Sequence, residues 1–173
     1  MIDPDLGWTT ERLDVEPLVV AHAAELVGAL DDPALHEFIG GRPLREHELA
    51  AQYARWEQRR STDGAEVWGN WVLRVRATAR AAGTVQATLP AAGPGAGPAE
   101  VAWVVAGFAQ GKGFAREAAT SLVERLRDDG WAVTAHVHPA HLASQAVARA
   151  AGLRPTGAEV DGETEWRVDS ERP

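Results

Sequence analysis

The segment 101–126 constrains this chain most, because an apolar strand there runs into a glycine-rich turn that opens directly into an amphipathic helix. Amides at a helix start lack intrahelical acceptors, and the helix dipole adds partial positive charge at that end. Gly111 and Gly113 let the backbone of the turn approach a ligand closely. The turn, residues 110–115, therefore predicts a site that could cradle a pyrophosphate.

Two common phosphate-binding loops do not fit this turn. It lacks the G-x-G-x-x-G spacing of dinucleotide folds and the Gly-Lys-Ser/Thr ending of nucleotide-triphosphate loops. Lys112 and Arg116 lie in and just after the turn, where cations could screen phosphates. Arg116 is explained equally well as a solvated helix residue.

A third pattern does fit the turn. Gln110-x-x-Gly113-x-Ala115, preceded by the strand 100–105, resembles the acetyl-coenzyme A motif Arg/Gln-x-x-Gly-x-Gly/Ala of the GNAT N-acetyltransferase superfamily. The downstream segment 136–153, HVHPAHLASQAVARAAGL, resembles the His-Pro-x-Asn-x-x-Ser segment of the branch that acetylates ribosomal-protein N-termini. Residues 10–15 are similar to that branch's opening strand, so the resemblance covers most of the chain.

The resemblance implies that acetyl-CoA is the cosubstrate and that two separated central strands bind its pantetheine arm through backbone groups. By position, these groups belong to Trp103, Val104 and Val105, although packing in the core also explains Trp103 and Val105. His141 stands where the family has an asparagine that reaches the coenzyme, and capping of its own helix is the alternative. The phosphates would be held by Gln110, Gly111, Lys112, Gly113, Phe114, Ala115 and Arg116.

Two catalytic residues are also implied by the resemblance. Glu100 matches a strand glutamate that family members use as a base, directly or through water, and a surface carboxylate is the alternative. Ser144 matches a serine whose hydroxyl could protonate the thiolate or bond the coenzyme, and helix capping explains it equally well. Tyr53 lies far from the motif in sequence, so we expect it to pack or to line a substrate wall.

Composition excludes several functions. The chain has no cysteine, which rules out disulfides, thiolate metal sites and a cysteine acyl-enzyme. A formal charge of −8 argues against nonspecific nucleic-acid binding and suits cationic partners such as amines. The chain shows neither a leader-like N-terminus nor an apolar run of about 18 residues, so we expect a cytoplasmic protein without membrane contact. His136, His138 and His141 straddle a strand end, a proline and a helix start, so we expect no metal site.

Residue periodicity predicts a mixed α/β layout in a single domain over 1–173. Helices are expected at 17–30, 33–38, 44–60, 114–127 and 141–151. Strands are expected at 12–15, 68–75, 83–89, 100–105 and 131–137, followed by a hairpin that turns at 161–162. The segment 90–98, PAAGPGAGP, reads as a mobile surface loop. The resemblance implies a curved, mostly antiparallel sheet with splayed central strands, flanked by helices.

We therefore expect an N-acetyltransferase that moves an acetyl group from acetyl-CoA directly to a primary amine. The acceptor is a protein or peptide N-terminus or a small-molecule amine. Trp56, Trp68 or Trp71 could line its pocket, because aromatic faces attract cations. The alternative is a catalytically silent module that binds coenzyme A as a sensor or scaffold. A homodimer is compatible with the sequence, although no exposed apolar stripe argues for it.

Overall fold

The computed structural model describes residues 2–39 and 41–170, and within them eight strands form one sheet. The strands are β1 (Trp8–Thr9), β2 (Leu13–Pro17), β3 (Glu66–Val75), β4 (Arg80–Pro90), β5 (Ala99–Val105), β6 (Val133–Val137), β7 (Arg154–Val160) and β8 (Glu163–Val168). They lie in the order β1-β2-β3-β4-β5-β6-β8-β7. Neighbours run antiparallel except β5 and β6, which confirms the predicted mostly antiparallel α/β sheet.

The parallel strands β5 and β6 separate soon after they meet. They pair only at Ala99 with Val133 and at Glu100 with Thr134, yet they continue to Val105 and Val137. Beyond the paired positions, each strand turns an edge of its backbone toward a gap in the sheet. This gap is the splay that the resemblance predicts.

Helices cover both faces of the sheet. Those in the described residues are α1 (His22–Leu26), α2 (His36–Ile39), α3 (Glu46–Trp56), α4 (Phe114–Asp128) and α5 (Leu142–Ala150). Residues of α4 and α5 pack on one face with Leu73, Val85 and Val101. Residues of α1 and α3 pack on the other face with Val72 and Ala81. Strand alternation explains why the adjacent residues Val72 and Leu73 enter different cores.

The helix α4 forms where its apolar stripe predicts it. Phe114, Ala118, Ala119, Leu122, Val123 and Leu126 are buried against the sheet. Each fully buried leucine stabilises the fold by about 1.5–3 kcal/mol relative to an exposed one. Gly130, with φ of 88°, follows the helix end. The stripe fixes α4, and so its first turn, directly beyond the end of β5.

The helix predicted at 17–30 is wrong in extent, because the structure forms a helix only over His22–Leu26. Pro17 is the last residue of β2 and pairs with Trp71, and the Leu18 amide donates to the Asn70 carbonyl. These long-range bonds hold the chain extended where the local pattern favours a helix. A proline at a strand end is compatible with the sheet, and here it was misread as a helix start.

The other predicted helices and strands are present with shifts of a few residues. The segment 90–98 connects β4 to β5 and contains a short 3₁₀ turn, Pro94–Ala96. Strands β4 and β5 are neighbours in the same sheet, as the sequence predicts.

The strand β7 forms one outer edge of the sheet and pairs with β8 alone. All of its side chains are exposed. Its register with β8 shifts between Pro155 and Glu159, and Gly157 lies within the shifted part with φ of 85°.

Candidate active site

The turn between β5 and α4 depends on its two glycines. Gly111 and Gly113 have φ of 72° and 81°, a left-handed conformation that costs other residues about 1–2 kcal/mol. Gly113 is the N-cap residue of α4, and its carbonyl accepts the Glu117 amide in the first i→i−4 bond. The amides of residues 114–116 precede that bond, so they have no acceptor within the helix. This arrangement matches the predicted anion site.

A cleft of about 730 Å³ opens between this turn, β5 and α5. We call it the main cleft. Its wall contains every residue that the sequence assigns to cofactor binding, and it also contains the predicted acid Ser144. These residues are Trp103, Val104, Val105, Gln110, Gly111, Lys112, Gly113, Phe114, Ala115, Arg116, His141 and Ser144. The predicted base, Glu100, is not part of the wall.

The side chain of Gln110 explains how the turn is held at the strand end. Its Nε2 atom donates to the Val105 carbonyl at 3.1 Å. The side-chain amide of Gln110 therefore ties the turn to β5, and Gln110 also lines the main cleft. Sequence reasoning gave this residue to the ligand and missed its bond to the strand.

An ion pair between the exposed Arg12 and the largely buried Glu117 anchors the first turn of α4 to the start of the chain. The Glu117 carboxylate accepts hydrogen bonds from the Thr10 hydroxyl at 2.5 Å, the Arg12 amide at 2.8 Å and Arg12 Nε at 2.7 Å. Arg12 Nη1 also donates to the Lys112 carbonyl at 2.8 Å. Burial opposes ionisation, but these bonds outweigh it and keep the pKa of Glu117 below 4.5. The network fixes the turn from outside the cleft.

His141 does not cap its helix through its side chain. It occupies the N-cap position of α5 without a capping hydrogen bond, so that alternative is wrong. Its ring stacks on Phe38 of α2, with centroids 4.3 Å apart and an interplanar angle of 22°. Burial and then the neighbouring His138 lower its pKa below 6.5. Burial thus favours the neutral form of His141 in the wall of the cleft, and Phe38 is a wall residue that the sequence did not reveal.

Ser144 lies on α5 inside the main cleft. The N-cap position of this helix belongs to His141, so capping does not explain Ser144. The side chain is half-buried. Its assignment as an acid or a coenzyme contact stays a prediction.

Glu100 lies at the closed end of the gap, where it pairs with Thr134 on β6 and Thr88 on β4. Its carboxylate is 57% exposed, and Oε1 lies 3.3 Å from His136 Nδ1. Strand alternation places it on the same sheet face as Ala102 and Val104. The carboxylate thus faces the region where the gap begins, held by one imidazole.

A second cavity of about 420 Å³ lies beside the main cleft, between α3, β4 and the segment 27–44 that follows α1. We call it the side cavity. Val104 and Leu35 line both cavities, so the two spaces meet at the middle of the split sheet. Thr84 and Gln86, which pair with Val104 and Ala102 on β5, form its floor.

The three tryptophans predicted to line an acceptor pocket lie in different places, and Tyr53 contributes to the wall of the side cavity. Trp56 lines the cavity, as the sequence allows. Trp71 does not, because it is fully buried in the other core against Trp8, so its assignment is wrong. Trp68 lines neither cavity. Tyr53 forms part of the wall but is 1% exposed, and burial raises the pKa of its hydroxyl.

The sequence also matches a family model described as an acetyltransferase (GNAT) domain, over residues 12–154. The chain belongs to the GNAT acetyltransferase family. The resemblance inferred from the turn at 110–115 is thereby confirmed. None of the curated proteins matches the chain.

Solved GNAT structures share the fold of this GNAT domain. An acetyltransferase from Bacillus anthracis superposes with a TM-score of 0.76 at 16% identity, covering 96% of this chain and 100% of that one. RimL, a ribosomal alpha-N-protein acetyltransferase solved with coenzyme A, gives 0.75 at 16% identity, covering 92% and 95%. MccE, a microcin self-immunity acetyltransferase solved with acetyl-CoA and AMP, gives 0.72 at 14% identity, covering 92% and 93%. At these identities the likeness establishes the fold.

Histidines near the cleft of this GNAT domain do not converge. His136 contacts Glu100, His138 Nδ1 accepts the Ala140 amide, and His141 stacks on Phe38. In the described part of the chain, no three His, Asp or Glu side chains are grouped so that they could hold a metal ion. Across residues 2–39 and 41–170, no helix has both the length and the apolar character to span a membrane.

Proposed function

We propose that this GNAT domain is an N-acetyltransferase that transfers an acetyl group from acetyl-CoA directly to a primary amine. The observation that carries the proposal is the meeting of two cavities at Val104, beside the gap between β5 and β6. One cavity ends at an anion-binding turn, and the other has no such turn. A cofactor and an acceptor could each occupy one cavity and react where they meet.

The main cleft suits the coenzyme. Its phosphates would lie at the turn, near the unbonded first-turn amides and the cations of Lys112 and Arg116. The pantetheine arm would run along the open edge of β5, where backbone groups of residues 103–105 face the gap. The thioester would then arrive at Val104, next to the side cavity.

The transfer needs little apparatus. The amine nitrogen attacks the thioester carbonyl, the new C–N bond forms as the C–S bond breaks, and the amine proton leaves to a base. The thiolate takes up a proton, which in our proposal the Ser144 hydroxyl relays from solvent, and departs as free coenzyme A. Holding two reactants in attack geometry contributes about 7–11 kcal/mol, which is more than one acid–base residue usually contributes. Since the chain has no cysteine, the acetyl group passes directly to the acceptor.

Glu100 is the proposed base, acting through water. Four residues of extended strand, at about 3.3 Å each, separate it from Val104 by roughly 13 Å. That distance is too long for direct contact with an amine at the thioester, so the proton would pass along a short chain of ordered water. The His136 contact holds the carboxylate toward this path.

The test is Glu100→Gln, which keeps the size of the side chain and removes the base. We expect kcat to fall by about 10²–10⁴-fold, because that is the usual contribution of a positioned base. The KM for acetyl-CoA should stay unchanged, because Glu100 lies outside the main cleft. Thiol release across pH measures both constants.

Glu124→Gln, on the exposed side of α4, is the matched control and should have wild-type turnover. Wild-type turnover in Glu100→Gln at every pH would remove Glu100 from the mechanism. Tight binding of acetyl-CoA without thiol release on any amine would favour the silent binding module instead. The buried Tyr53 hydroxyl and the replacement of the family's asparagine by His141 are the features that favour that alternative.

A further inference from the structure

The wall of the side cavity is apolar and carries no negative charge. Its apolar members include Val27, Leu30, Leu44, Leu49 and Trp56. Its polar members include the neutral groups of Gln52, Thr84 and Gln86. Among the described residues, no aspartate or glutamate lines it. A cavity of about 420 Å³ with this lining has the size and character of a small-molecule pocket.

The basic groups in this wall are His36 and Arg42, and the remaining ionisable group, the Tyr53 hydroxyl, is kept neutral by a pKa that burial raises. The Arg42 guanidinium forms two hydrogen bonds to Glu48, at 2.9 and 2.5 Å. This bidentate pair occupies both oxygens of the Glu48 carboxylate. The hydrogen bond from Arg42 lowers the pKa of Glu48 to about 2. An ammonium group placed in the cavity would therefore meet no carboxylate in its wall. Burying such an unpaired charge is costly.

One carboxylate lies on the same sheet face as the junction with the main cleft, although it lines neither cavity. Gln86 lies in the cavity floor opposite Ala102, and the next position on that face of β5 is Glu100. A single ammonium at the junction would lie on the side of Glu100. The rest of the acceptor would extend from there between Trp56 and the leucines.

From this charge distribution we propose that the side cavity selects primary amines that carry one positive charge on an uncharged, apolar body. The inference rests on the proposed acetyl transfer. An arylalkylamine and a peptide with an apolar first residue both have this chemistry. Polyamines and aminoglycosides do not, because their further ammonium groups would be buried without partners.

The test measures kcat/KM for thiol release with phenethylamine, a Phe-initial peptide, spermidine and kanamycin. We expect the apolar monoamines to exceed spermidine and kanamycin by roughly 100-fold, which corresponds to the cost of leaving one buried polar group unpaired. Comparing phenethylamine with the Phe-initial peptide distinguishes a small-molecule acceptor from a peptide acceptor. Preference for spermidine or kanamycin would overturn the inference and leave acetyl transfer in place. Silence with every amine would overturn both.

A variant that introduces a negative charge into the side cavity tests the same claim within one protein. Gln86→Glu places a carboxylate in the half-buried floor, and it should raise the ratio of spermidine to phenethylamine turnover by roughly 10-fold or more. Gln86→Leu is matched in size and should give no such gain. Thermal stabilisation of each variant by acetyl-CoA shows that it is folded. An unchanged ratio in folded Gln86→Glu would contradict the proposal.

Discussion

Glu117 links the first strands of the chain to the turn before α4. Its carboxylate is 15% exposed and bonds to Thr10 and Arg12, while Arg12 also holds the Lys112 carbonyl. Because these partners lie more than a hundred positions away in sequence, the bonds can form only after the sheet has assembled. The turn is thereby preorganised before any ligand arrives.

Glu117→Gln should lower the free energy of unfolding by about 2–3 kcal/mol at pH 7, because charged hydrogen bonds of a largely buried group are lost. The pKa of Glu117 is below 4.5 in the folded protein, so its stabilisation is present above that pH. The stabilisation is lost as the pH falls through the folded pKa. The wild type and the variant should therefore converge in acid.

Urea unfolding between pH 7 and pH 3 measures this convergence. Glu124→Gln, on the exposed side of the same helix, should follow the wild type throughout. A gap between wild type and Glu117→Gln that stays constant with pH would exclude the ion pair as its cause.

At the level of single residues, sequence predicted the turn before α4, because its conformation follows from a local motif. Gln110, Gly111 and Gly113 lie within four positions of the chain, and both glycines adopt the positive φ that such a turn requires. The stacking of Phe38 on His141 joins residues far apart in the chain and has no local signal. Contacts of this kind require the folded sheet.

At the level of elements, the turn before α4 gives a test of backbone conformation. Gly113→Ala should cost about 1–2 kcal/mol of stability, because alanine is strained at φ of 81°. Its methyl group would also lie 3.3 Å from Arg12 Nη2. We expect weaker acetyl-CoA binding as the first-turn amides shift, measured by isothermal titration calorimetry.

Gly152→Ala is the matched control for that variant. Gly152 also has positive φ, at 90°, with open space around its Cβ position, and it lies outside the main cleft. It should lose similar stability and keep wild-type affinity for acetyl-CoA. Equal loss of affinity in both variants would mean that general destabilisation, rather than the turn, weakens binding.

Helices with a strong hydrophobic periodicity were predicted well, whereas the region whose structure depends on strand pairing was not. The helix predicted at 114–127 is Phe114–Asp128, because its apolar stripe and the glycine beyond it fix both ends. The helix predicted at 17–30 is mostly absent, because pairing with β3 extends β2 to Pro17. Hydrogen bonds to a distant strand override a weak helical pattern.

At the scale of the whole molecule, the sheet consists of two parts, β1–β5 and β6–β8. The parts pair directly at only two positions of β5 and β6. A ligand in the gap would contact both parts, through β5 on one side and α5 on the other. We therefore expect the bound cofactor to stabilise both parts of the sheet together against unfolding.

Acetyl-CoA at 100 times its Kd should add about 2.7 kcal/mol to the free energy of unfolding. For a chain of this size, that corresponds to a Tm increase of roughly 5–11 °C. Differential scanning calorimetry measures the shift, and hydrogen exchange should slow in β6 (Val133–Val137). An unchanged Tm at millimolar acetyl-CoA would contradict cofactor binding in the gap.

The relation between the two cavities is the part of the site that sequence could not provide. Val104 was predicted from its position in β5, but its contact with the side cavity depends on α1 and α3 packing over β4. No motif marks the residues of this second wall. They come from the stretch 27–56, from β4 and from β5, and only the fold brings them together.

The outer strand β7 has a consequence for behaviour at high concentration. Exposed sheet edges are templates for aggregation, because their unpaired backbone groups can recruit a strand from another molecule. In β7, Pro155 lacks an amide, and the shifted register around Gly157 breaks the regular row of donors and acceptors. This edge therefore offers few consecutive groups for intermolecular pairing, and it should resist growth into extended sheets.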